Sequence, residues 1–417
     1  MKEIKRFDMS MPPRKTKWYL KPIKKLLCAP AIKKYKPRIT YVNTENIKGP
    51  FLLLCNHNAF LDFKVASTLL GKNDANYVVA IDGFIGRENL LRNVGCICKR
   101  KFTNDMILIK QLKRSIAMGN VAVLYPEARY SLCGTNAVLP ESLGKLAKFL
   151  DVPVVTLICH GHHVNSPFWD TSHERGVEYT EATYKLLYSK EDLEKASIEE
   201  INDAINKEFV YDDFKWQQDN HIRIADKNRA LGLHRVLYQC PHCNKEYEMD
   251  SFGSTLKCKA CGKEWELTEY GYLQAKDGNT EFNHIPDWYE WERSNVRKEV
   301  EAGTYSSGEL DVIVDSLPNA KKFIRLGEGK LIHDMNGFKV EGLDKDGDKF
   351  EMIKPVESLY SCHIEYQYLF KHGDCIDLNT LEDTYYIYPK GDKFSVTKMA
   401  LATEELYQYN KRKKLEN

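Results

Sequence analysis

The chain has 417 residues, 43% of them hydrophobic and 29% charged, which is an ordinary globular composition with enough length for two or three domains. This composition excludes a collagen-like repeat and a wholly disordered chain. Uninterrupted apolar runs such as Phe51–Cys55 are far shorter than the roughly 18–20 residues of a membrane-crossing helix. No apolar stretch of signal-peptide length follows the basic first residues. We therefore expect a cytoplasmic, reducing location, in which the twelve cysteines need a role other than disulfides.

Positive charge is concentrated at the N-terminal end. Residues 1–50 contain 14 Lys and Arg against three acidic residues, a net charge of +11, which leaves −9 for the remainder because the total is +2. Within residues 1–39, apolar residues at positions 19, 23, 26 and 27 follow one helical face, opposite Lys21, Lys24 and Lys25. Such a helix suits an anionic membrane surface, so we interpret residues 1–39 as a membrane-contact segment that holds the protein on the inner face of the membrane. The alternative is a basic helix packed on its own domain.

Short apolar runs alternate with amphipathic stretches from Pro50 onwards. The runs that resemble strands are Phe51–Cys55, Tyr77–Ile81, Val121–Tyr125 and Pro153–Cys159. Between them the spacing predicts helices over Leu61–Leu70 and Asn104–Met118, the second capped by Asn104 and ended by Gly119. This alternation predicts an α/β domain over residues 40–235, with a mostly parallel sheet and flanking helices.

The first candidate site is the segment Asn56-His57-Asn58-Ala59-Phe60-Leu61-Asp62, where the first of these strands ends and a helix begins. Reactive groups in α/β folds commonly lie at this edge of the sheet. A strand-to-helix turn brings Asp62 back to His57, where its carboxylate fixes the tautomer of the imidazole and stabilises the imidazolium. The pair is therefore an oriented general base.

Four blocks in this order resemble the glycerolipid acyltransferases, the lysophosphatidic-acid acyltransferase family. The blocks of that family are Asn-His-x-x-x-x-Asp, Phe-Ile-x-Arg, Phe-Pro-Glu-Gly-Thr-Arg-Ser and Val-Pro followed by apolar residues and Pro. Their counterparts here are Asn56–Asp62, Phe84–Arg87, Tyr125-Pro126-Glu127-Ala128-Arg129-Tyr130-Ser131 and Val152-Pro153-Val154-Val155-Thr156.

The resemblance implies a role for each matching residue. His57 and Asp62 take the catalytic places, and Arg87 holds the phosphate of the acceptor through its paired donors. The substrate-binding places fall on Asn56, Phe84, Arg87, Glu127 and Arg129. The implied reaction moves a fatty acyl group from acyl-coenzyme A or acyl-carrier protein to the hydroxyl of a lysophospholipid, without an acyl-enzyme. Cys55 is interpreted as a core residue.

Some positions depart from the pattern of the family. Ala59 replaces Ser, Ala128 replaces Gly, Thr156 replaces the second Pro, and Arg129 stands one place early. A shift of one residue changes where a guanidinium points, so Arg129 need not reach the acceptor phosphate. The expected acceptor is therefore lysophosphatidic acid or a related lysophospholipid that differs from it.

Two cysteine pairs form the second motif. Cys240-Pro241-His242-Cys243 is followed after 14 residues by Cys258-Lys259-Ala260-Cys261, a spacing that resembles a zinc ribbon over residues 236–275. The metal ligands are Cys240, Cys243, Cys258 and Cys261, and the metal is structural Zn²⁺, although iron accepts the same ligands.

The stretch Cys159-His160-Gly161-His162-His163 is interpreted as a polar rim of a pocket rather than a metal site, because three histidines on one turn do not converge easily on one ion.

The remaining chain predicts a helical connector over residues 276–304 and a β-rich domain over residues 305–417, a small barrel or sandwich with a closing helix at Phe394–Gln408. Its strands are predicted at Leu310–Val314, Lys322–Leu326, Lys330–His333, Phe338–Gly342, Phe350–Ile353, Glu365–Phe370 and Thr384–Tyr388. Gly327-Glu328-Gly329 and the segment 344–348 are predicted hairpin turns.

The partners expected from these features are an acyl donor, a lysophospholipid, an anionic membrane and a protein that docks on the ribbon or the β-rich domain. Residues 236–275 have no dominant basic face, which argues against nucleic acid. A different hypothesis is a catalytically inactive lipid-binding or regulatory protein, in which the altered third block reports lost chemistry.

Overall fold

The computed structural model describes residues 5–370 and 373–416, so the first four residues of the predicted membrane-contact segment lie outside the described part. Three β-sheets follow one another along the chain, with helices between and around them. Among the described residues, no helix combines the length and the hydropathy that crossing a bilayer requires.

The first sheet has seven strands and is mixed. Its strands are β1 (Arg38–Val42), β2 (Leu52–Cys55), β3 (Ala75–Ala80), β4 (Cys96–Lys99), β5 (Val121–Leu124), β6 (Val154–His160) and β7 (Glu181–Tyr188), in the order β1-β7-β6-β2-β5-β3-β4. Neighbouring strands are parallel except β6 and β7, which are antiparallel. The parallel pairing predicted from the sequence therefore holds for the centre of the sheet, whereas β1 and β7 run in the opposite direction.

Helices cover both faces of this sheet. They are α1 (Leu20–Tyr35), α2 (Phe60–Leu70), α3 (Glu88–Val94), α4 (Met106–Ala117), α5 (Leu143–Leu150), α6 (His162–Asn165), α7 (Lys190–Lys195), α8 (Ile198–Glu208) and α9 (Asp213–Asp219). Side chains of β2 alternate between the two cores: Leu53 packs with the side that holds Val65 of α2, and Leu52 packs with the side that holds Leu112 of α4. Burial on both faces explains the uninterrupted apolar sequence of the central strands.

Helix α4 shows how the local sequence sets an element. The Asp105 carboxylate, not Asn104 as expected, accepts the free N–H groups of Ile107 and Leu108. Gly119 follows the helix in the left-handed region at φ 79°, as predicted.

The second sheet is antiparallel and has four strands, in the order β11-β10-β9-β8. These are β8 (Met249–Phe252), β9 (Thr255–Cys258), β10 (Glu264–Leu267) and β11 (Leu273–Ala275), and helix α10 (Ile285–Glu301) follows. Trp265 of β10 packs against Trp288 of α10 with ring centroids 5.0 Å apart. The indole N–H of Trp288 donates to the carbonyl of Gln239, just before the first cysteine pair.

The third sheet has seven antiparallel strands and closes with helix α11 (Val396–Glu416). Its strands are β12 (Ser306–Ser316), β13 (Ile324–Asp334), β14 (Gly337–Asp344), β15 (Lys349–Pro355), β16 (His363–Glu365), β17 (Cys375–Asn379) and β18 (Thr384–Pro389), in the order β15-β14-β13-β12-β18-β17-β16. Within the described residues, β15 and β16 are not paired with each other, so the strands form an open sheet rather than a closed barrel. The domain boundaries at 235, 275 and 304 stay predictions.

Two predictions for this sheet were wrong. Gly327-Glu328-Gly329 is not a turn but part of β13, which runs through the two strands predicted separately. A Cβ atom at Gly327 would lie 2.1 Å from the Leu343 carbonyl oxygen, so the glycines are needed for close approach between strands. The strand predicted over Glu365–Phe370 ends at Glu365 and is followed by a short 3₁₀ turn.

Candidate active site

His57 and Asp62 meet at the carboxyl end of β2. The chain leaves the strand at Asn56, and α2 begins at Phe60, so Asp62 lies in the first turn of the helix. Its Oδ2 atom accepts the backbone N–H groups of Asn58 at 2.6 Å and Ala59 at 2.9 Å, and it lies 3.3 Å from Nδ1 of His57. The turn therefore folds the carboxylate back onto the imidazole.

His162 is a second partner of Asp62, and the sequence analysis did not identify it. Nδ1 of His162 bonds to Oδ1 of Asp62, and both side chains are fully buried. Burial opposes ionisation of Asp62, but the hydrogen bonds and charges of His162 and His57 outweigh it and lower the pKa of Asp62 to about 2. An ionised carboxylate thus stands behind His57.

Gly161 permits this arrangement. Its φ of 84° lies in the left-handed region, and a Cβ atom there would lie 2.8 Å from the Trp216 ring. The histidine stretch predicted as a pocket rim is instead largely internal, with His162 and His163 buried in α6.

Asp62, Cys159 and His162 lie close enough together to hold a metal ion. Burial raises the pKa of the Cys159 thiol well above its usual range, which disfavours the thiolate that a metal needs.

Two tyrosines of the third block flank His57. The His57 ring centroid lies 4.3 Å from that of Tyr125 and 4.2 Å from that of Tyr130. The side chain of His57 is 22% exposed, whereas Asp62 is fully buried. The two rings therefore fix the orientation of the imidazole and leave only a small part of it accessible to solvent.

Glu127 holds the same turn through hydrogen bonds. One of its carboxylate oxygens accepts the backbone N–H of His57 at 2.7 Å, and the other accepts the N–H of Ala137 at 2.8 Å and the Tyr211 hydroxyl at 3.0 Å. Burial raises the pKa of Glu127 to about 7 against the effect of these bonds. Glu127 thus positions His57 in this structure, and its role in substrate binding stays a prediction.

The Arg129 side chain is paired with the C-terminal part of the chain. Its guanidinium donates to the Glu404 carboxylate of α11 at 2.7 Å, and both side chains are buried. Arg293 of α10 donates to the other oxygen of Glu404 at 2.7 Å. Ala128, which stands in the family's Gly position, has φ 56° and keeps the left-handed turn.

The remaining predicted substrate residues have protein partners as well. Asn56 exchanges hydrogen bonds with the backbone N–H and carbonyl of Cys159, which joins β2 to β6. Phe84 is fully buried against Phe7. Arg87 is exposed, and its Nε donates to the Gly83 carbonyl at 2.9 Å. Their contacts with substrate stay predictions.

The third sheet lies against this edge of the first sheet. Arg100, which follows β4, donates to the carbonyls of Leu317, Pro318 and Glu382. Phe168 packs against Tyr130 on one side and Tyr366 on the other, with ring centroids 5.6 and 5.5 Å apart. The C-terminal residues thus form part of the surroundings of His57.

The four cysteines of the second motif lie together. The sulfur atoms of Cys240 and Cys261 are 3.8 Å apart, and those of Cys243 and Cys258 are 3.7 Å apart. A tetrahedron with zinc–sulfur bonds of about 2.3 Å has edges of ~3.8 Å, so the residues fit a four-thiolate metal site. His242, between the first two cysteines, faces Glu281 instead.

The two cysteine turns have the same backbone geometry. Cys240 N–H donates to the Lys245 carbonyl and Cys258 N–H to the Lys263 carbonyl, both at 2.9 Å. The residue after each second cysteine is left-handed, with φ 59° at Asn244 and 78° at Gly262. The turns therefore present four sulfurs without further rearrangement.

Comparison with protein families bears on the first sheet. Residues 38–160 match the family model described as Acyltransferase. This stretch is similar to the acyltransferase domain of that family. All four blocks fall within it, which confirms the family resemblance identified from the sequence.

A solved structure also matches part of this chain. The crystal structure of the 1-acyl-sn-glycerophosphate (LPA) acyltransferase PlsC from Thermotoga maritima has 13% sequence identity and a TM-score of 0.37, and the match covers 46% of this chain and 77% of that one. No curated protein sequence matches this chain.

Proposed function

We propose that the protein is an O-acyltransferase that moves a fatty acyl group from acyl-coenzyme A or acyl-carrier protein to the hydroxyl of a lysophospholipid, lysophosphatidic acid or a related lipid. The observation that carries this proposal is the His57–Asp62 pair, 3.3 Å apart at the strand end of an acyltransferase-family domain. Asp62 makes four contacts that keep it ionised and oriented, so His57 is the group left to exchange protons with a substrate.

The reaction follows from this geometry. Nε2 of His57 takes the proton of the acceptor hydroxyl as its oxygen attacks the thioester carbonyl. The tetrahedral intermediate collapses, the carbon–sulfur bond breaks, and the imidazolium returns the proton to the departing thiolate. Asp62 stabilises the imidazolium between the two steps and retains Nδ1–H in the tautomer that leaves Nε2 free.

The four cysteines bind one structural Zn²⁺ in this proposal. Their sulfur separations support a tetrahedral site, and four thiolates leave no open position for water. When bound, the metal supplies folding free energy to the small second sheet.

The N-terminal helix places the enzyme on an anionic membrane. Leu20, Cys28, Ala31 and Tyr35 pack inward, whereas the apolar side chains Trp18, Tyr19, Ile23, Leu26 and Leu27 are 45–82% exposed. These five residues are called the apolar patch. An exposed apolar patch among lysines supports interfacial binding over the alternative of a helix that only packs on its own domain.

The test compares wild type, His57→Ala and His221→Asn, each with radiolabelled palmitoyl-coenzyme A or palmitoyl-carrier protein and a panel of lysophospholipids. His221 is an exposed histidine in α9's C-terminal loop with φ 52°, which Asn tolerates, so it is the matched control. We expect transfer by wild type and His221→Asn, and a loss of at least ~10³-fold in His57→Ala. Equal turnover by all three would remove His57 from the mechanism. Vesicle binding without transfer by any of them would favour the inactive lipid-binding protein.

A further inference from the structure

Five ionisable side chains lie between the first and third sheets, beside the candidate active site. They are Asp82, Lys101, His363, Glu365 and Asp377, called here the Lys101 cluster. Asp82 and Lys101 follow the neighbouring strands β3 and β4, at the same edge of the sheet as His57. The other three come from β16 and β17.

Lys101 is shared among the members of the cluster. Its Nζ lies 3.1 Å from Asp377, 3.3 Å from Asp82 and 3.1 Å from Nε2 of His363. His363 is held in turn by Asp377, with Nδ1 2.8 Å from the carboxylate. Lys101 therefore pairs with two carboxylates and one imidazole. Its three N–H donors are occupied by these partners, so none is left for a further anion.

Glu365 is the member of the cluster without a hydrogen bond among the described residues. Its nearest ion-pair contact is 3.8 Å from Nε2 of His363, and its side chain is 18% exposed. Burial raises its pKa to about 7. A carboxyl group that reaches solvent from a mostly buried position is available to a ligand.

The cluster and His57 lie on either side of Tyr130. The Tyr130 ring centroid is 4.2 Å from that of His57 and 5.6 Å from that of Phe168, which is in turn 6.3 Å from the ring of His363. Burial, and then the charges of Asp62, Glu365 and Asp82, raise the pKa of Tyr130. The rings of Tyr130 and Phe168 therefore connect the cluster with the surroundings of His57.

The two arginines predicted to be substrate-binding residues differ in their availability to a ligand. The Arg129 guanidinium is committed to Glu404, and Arg87 is exposed with its Nε on a carbonyl. A phosphate monoester placed beside the Lys101 cluster would meet Asp82, Asp377 and Glu365, whose carboxyl groups outnumber the single Lys101 cation. Like charges in a mostly buried site disfavour that ligand.

We propose that the Lys101 cluster forms the headgroup side of the acceptor site, and that Glu365 selects lysolipids whose headgroup carries hydroxyl or ammonium donors over a phosphate monoester. The inference rests on the proposed acyl transfer and specifies its acceptor. Glu365 accepts the hydrogen bond of the headgroup, while Asp82 and Asp377 contribute the negative charge that excludes the monoester.

The experiment compares four acceptors with the same acyl chain: 1-acylglycerol 3-phosphate, lysophosphatidylethanolamine, lysophosphatidylglycerol and lysophosphatidylcholine. Wild type, Glu365→Gln and the exposed control Glu357→Gln are assayed after thermal unfolding confirms equal folding. We expect wild type to favour the ethanolamine or glycerol lipid over the monoester by at least ~10-fold in kcat/KM, and Glu365→Gln to reduce this ratio about 10-fold. Glu357→Gln keeps the wild-type ratio.

The arms separate the sources of specificity. A leading ethanolamine lipid identifies an ammonium donor, and a leading glycerol lipid identifies hydroxyl donors. The inference is overturned if wild type favours the monoester, if the choline lipid, which has charge but no donor, equals the better of the ethanolamine and glycerol lipids, or if Glu365→Gln leaves the ratio unchanged.

A binding measurement separates failure of the inference from failure of the proposed function. Each lysolipid is titrated into wild type below its micellar concentration and followed by tryptophan fluorescence. If no acceptor is acylated, the proposed function fails, and the headgroup preference is then read from these affinities. Tighter binding of the monoester, or no binding of any lipid, overturns the inference by itself.

Discussion

The Arg129 guanidinium donates to the Glu404 carboxylate at 2.7 Å across 275 residues of sequence. Arg129 lies in the loop whose tyrosines flank His57, and Glu404 lies in the final helix. The carboxylate also accepts Arg293 and the Ser361 hydroxyl, each at 2.7 Å. Four segments that are far apart in the chain therefore meet at one buried carboxylate.

Removing this carboxylate tests its contribution to the fold. In Glu404→Ala, the buried Arg129 guanidinium loses its counter-charge, whereas Arg293 keeps Glu290 and Glu405, so we expect the free energy of unfolding to fall by about 3–5 kcal/mol. Chemical denaturation measures the difference. Glu416→Ala, an exposed position of the same helix, is the control and should change stability little. A similar small change in both variants would contradict the prediction.

Ala128 offers a stabilising substitution. Its φ of 56° is a conformation that costs a residue with a Cβ atom roughly 1–2 kcal/mol. We expect Ala128→Gly to raise the free energy of unfolding by about 0.5–1 kcal/mol, after the greater entropy of the unfolded glycine chain is subtracted. Ala117→Gly in α4 is the opposite control and should destabilise by about 1 kcal/mol. Loss of stability in Ala128→Gly would show that the turn carries no strain.

Glu127 should make stability depend on pH. The folded protein holds its proton up to a pKa of about 7, whereas the ordinary value is 4.5, so folding takes up a proton between these values. Its stabilising contribution is complete below pH 4.5 and is lost as the pH rises to 7, about 3 kcal/mol in total. Unfolding free energies of wild type and Glu127→Gln are measured from pH 4 to 8. In the variant, the dependence of the unfolding free energy on pH lacks the contribution of this group. Parallel curves would contradict it.

Metal analysis tests the four-cysteine site. We expect the purified full chain to contain one equivalent of zinc, and Cys258→Ser to contain much less and to unfold at lower temperature. Cys375→Ala, which removes a buried thiol of the third sheet, should retain the metal. Iron in place of zinc would be recognised by visible absorption, and metal-free wild type would disprove the site.

Vesicle sedimentation tests the apolar patch of α1. Deleting the helix would expose the core side chains that it covers and could unfold the protein. Point substitutions on the exposed face therefore test membrane binding without this effect. We expect the double variant Leu26→Glu, Leu27→Glu to lose binding to phosphatidylglycerol vesicles by about 10-fold or more, because each leucine is about 70% exposed and free to insert. Leu415→Glu, at an equally exposed leucine of α11, should bind as wild type does. Equal binding by the double variant would exclude the patch as the anchor.

Local patterns were sufficient for the features that depend on neighbours in sequence. The apolar run of β2, the helical spacing of α4 and the His57–Asp62 turn each depend on a few adjacent residues. Each cysteine pair forms its own local turn. β7 was missed because its residues are mostly half-buried and mixed in polarity, which leaves no clear alternation.

Long-range partners could not be predicted in the same way. The contact of His162 with Asp62 joins residues 100 positions apart, and only Gly161 before it hinted at a sharp turn. The Lys101 cluster depends on how two sheets meet, which hydrophobic periodicity does not encode. Gly327 and Gly329 looked like turn residues because glycine serves both tight turns and close strand contacts.

The Arg129–Glu404 contact also has a consequence for synthesis. The first sheet leaves the ribosome hundreds of residues before α11 and has its core strands available early. Until residue 404 has emerged, the Arg129 guanidinium in the loop beside His57 lacks its Glu404 partner and is hydrated. The contact that joins the loop beside His57 to the final helix therefore forms late, so we expect a newly made chain to complete the candidate site only as its last helix docks.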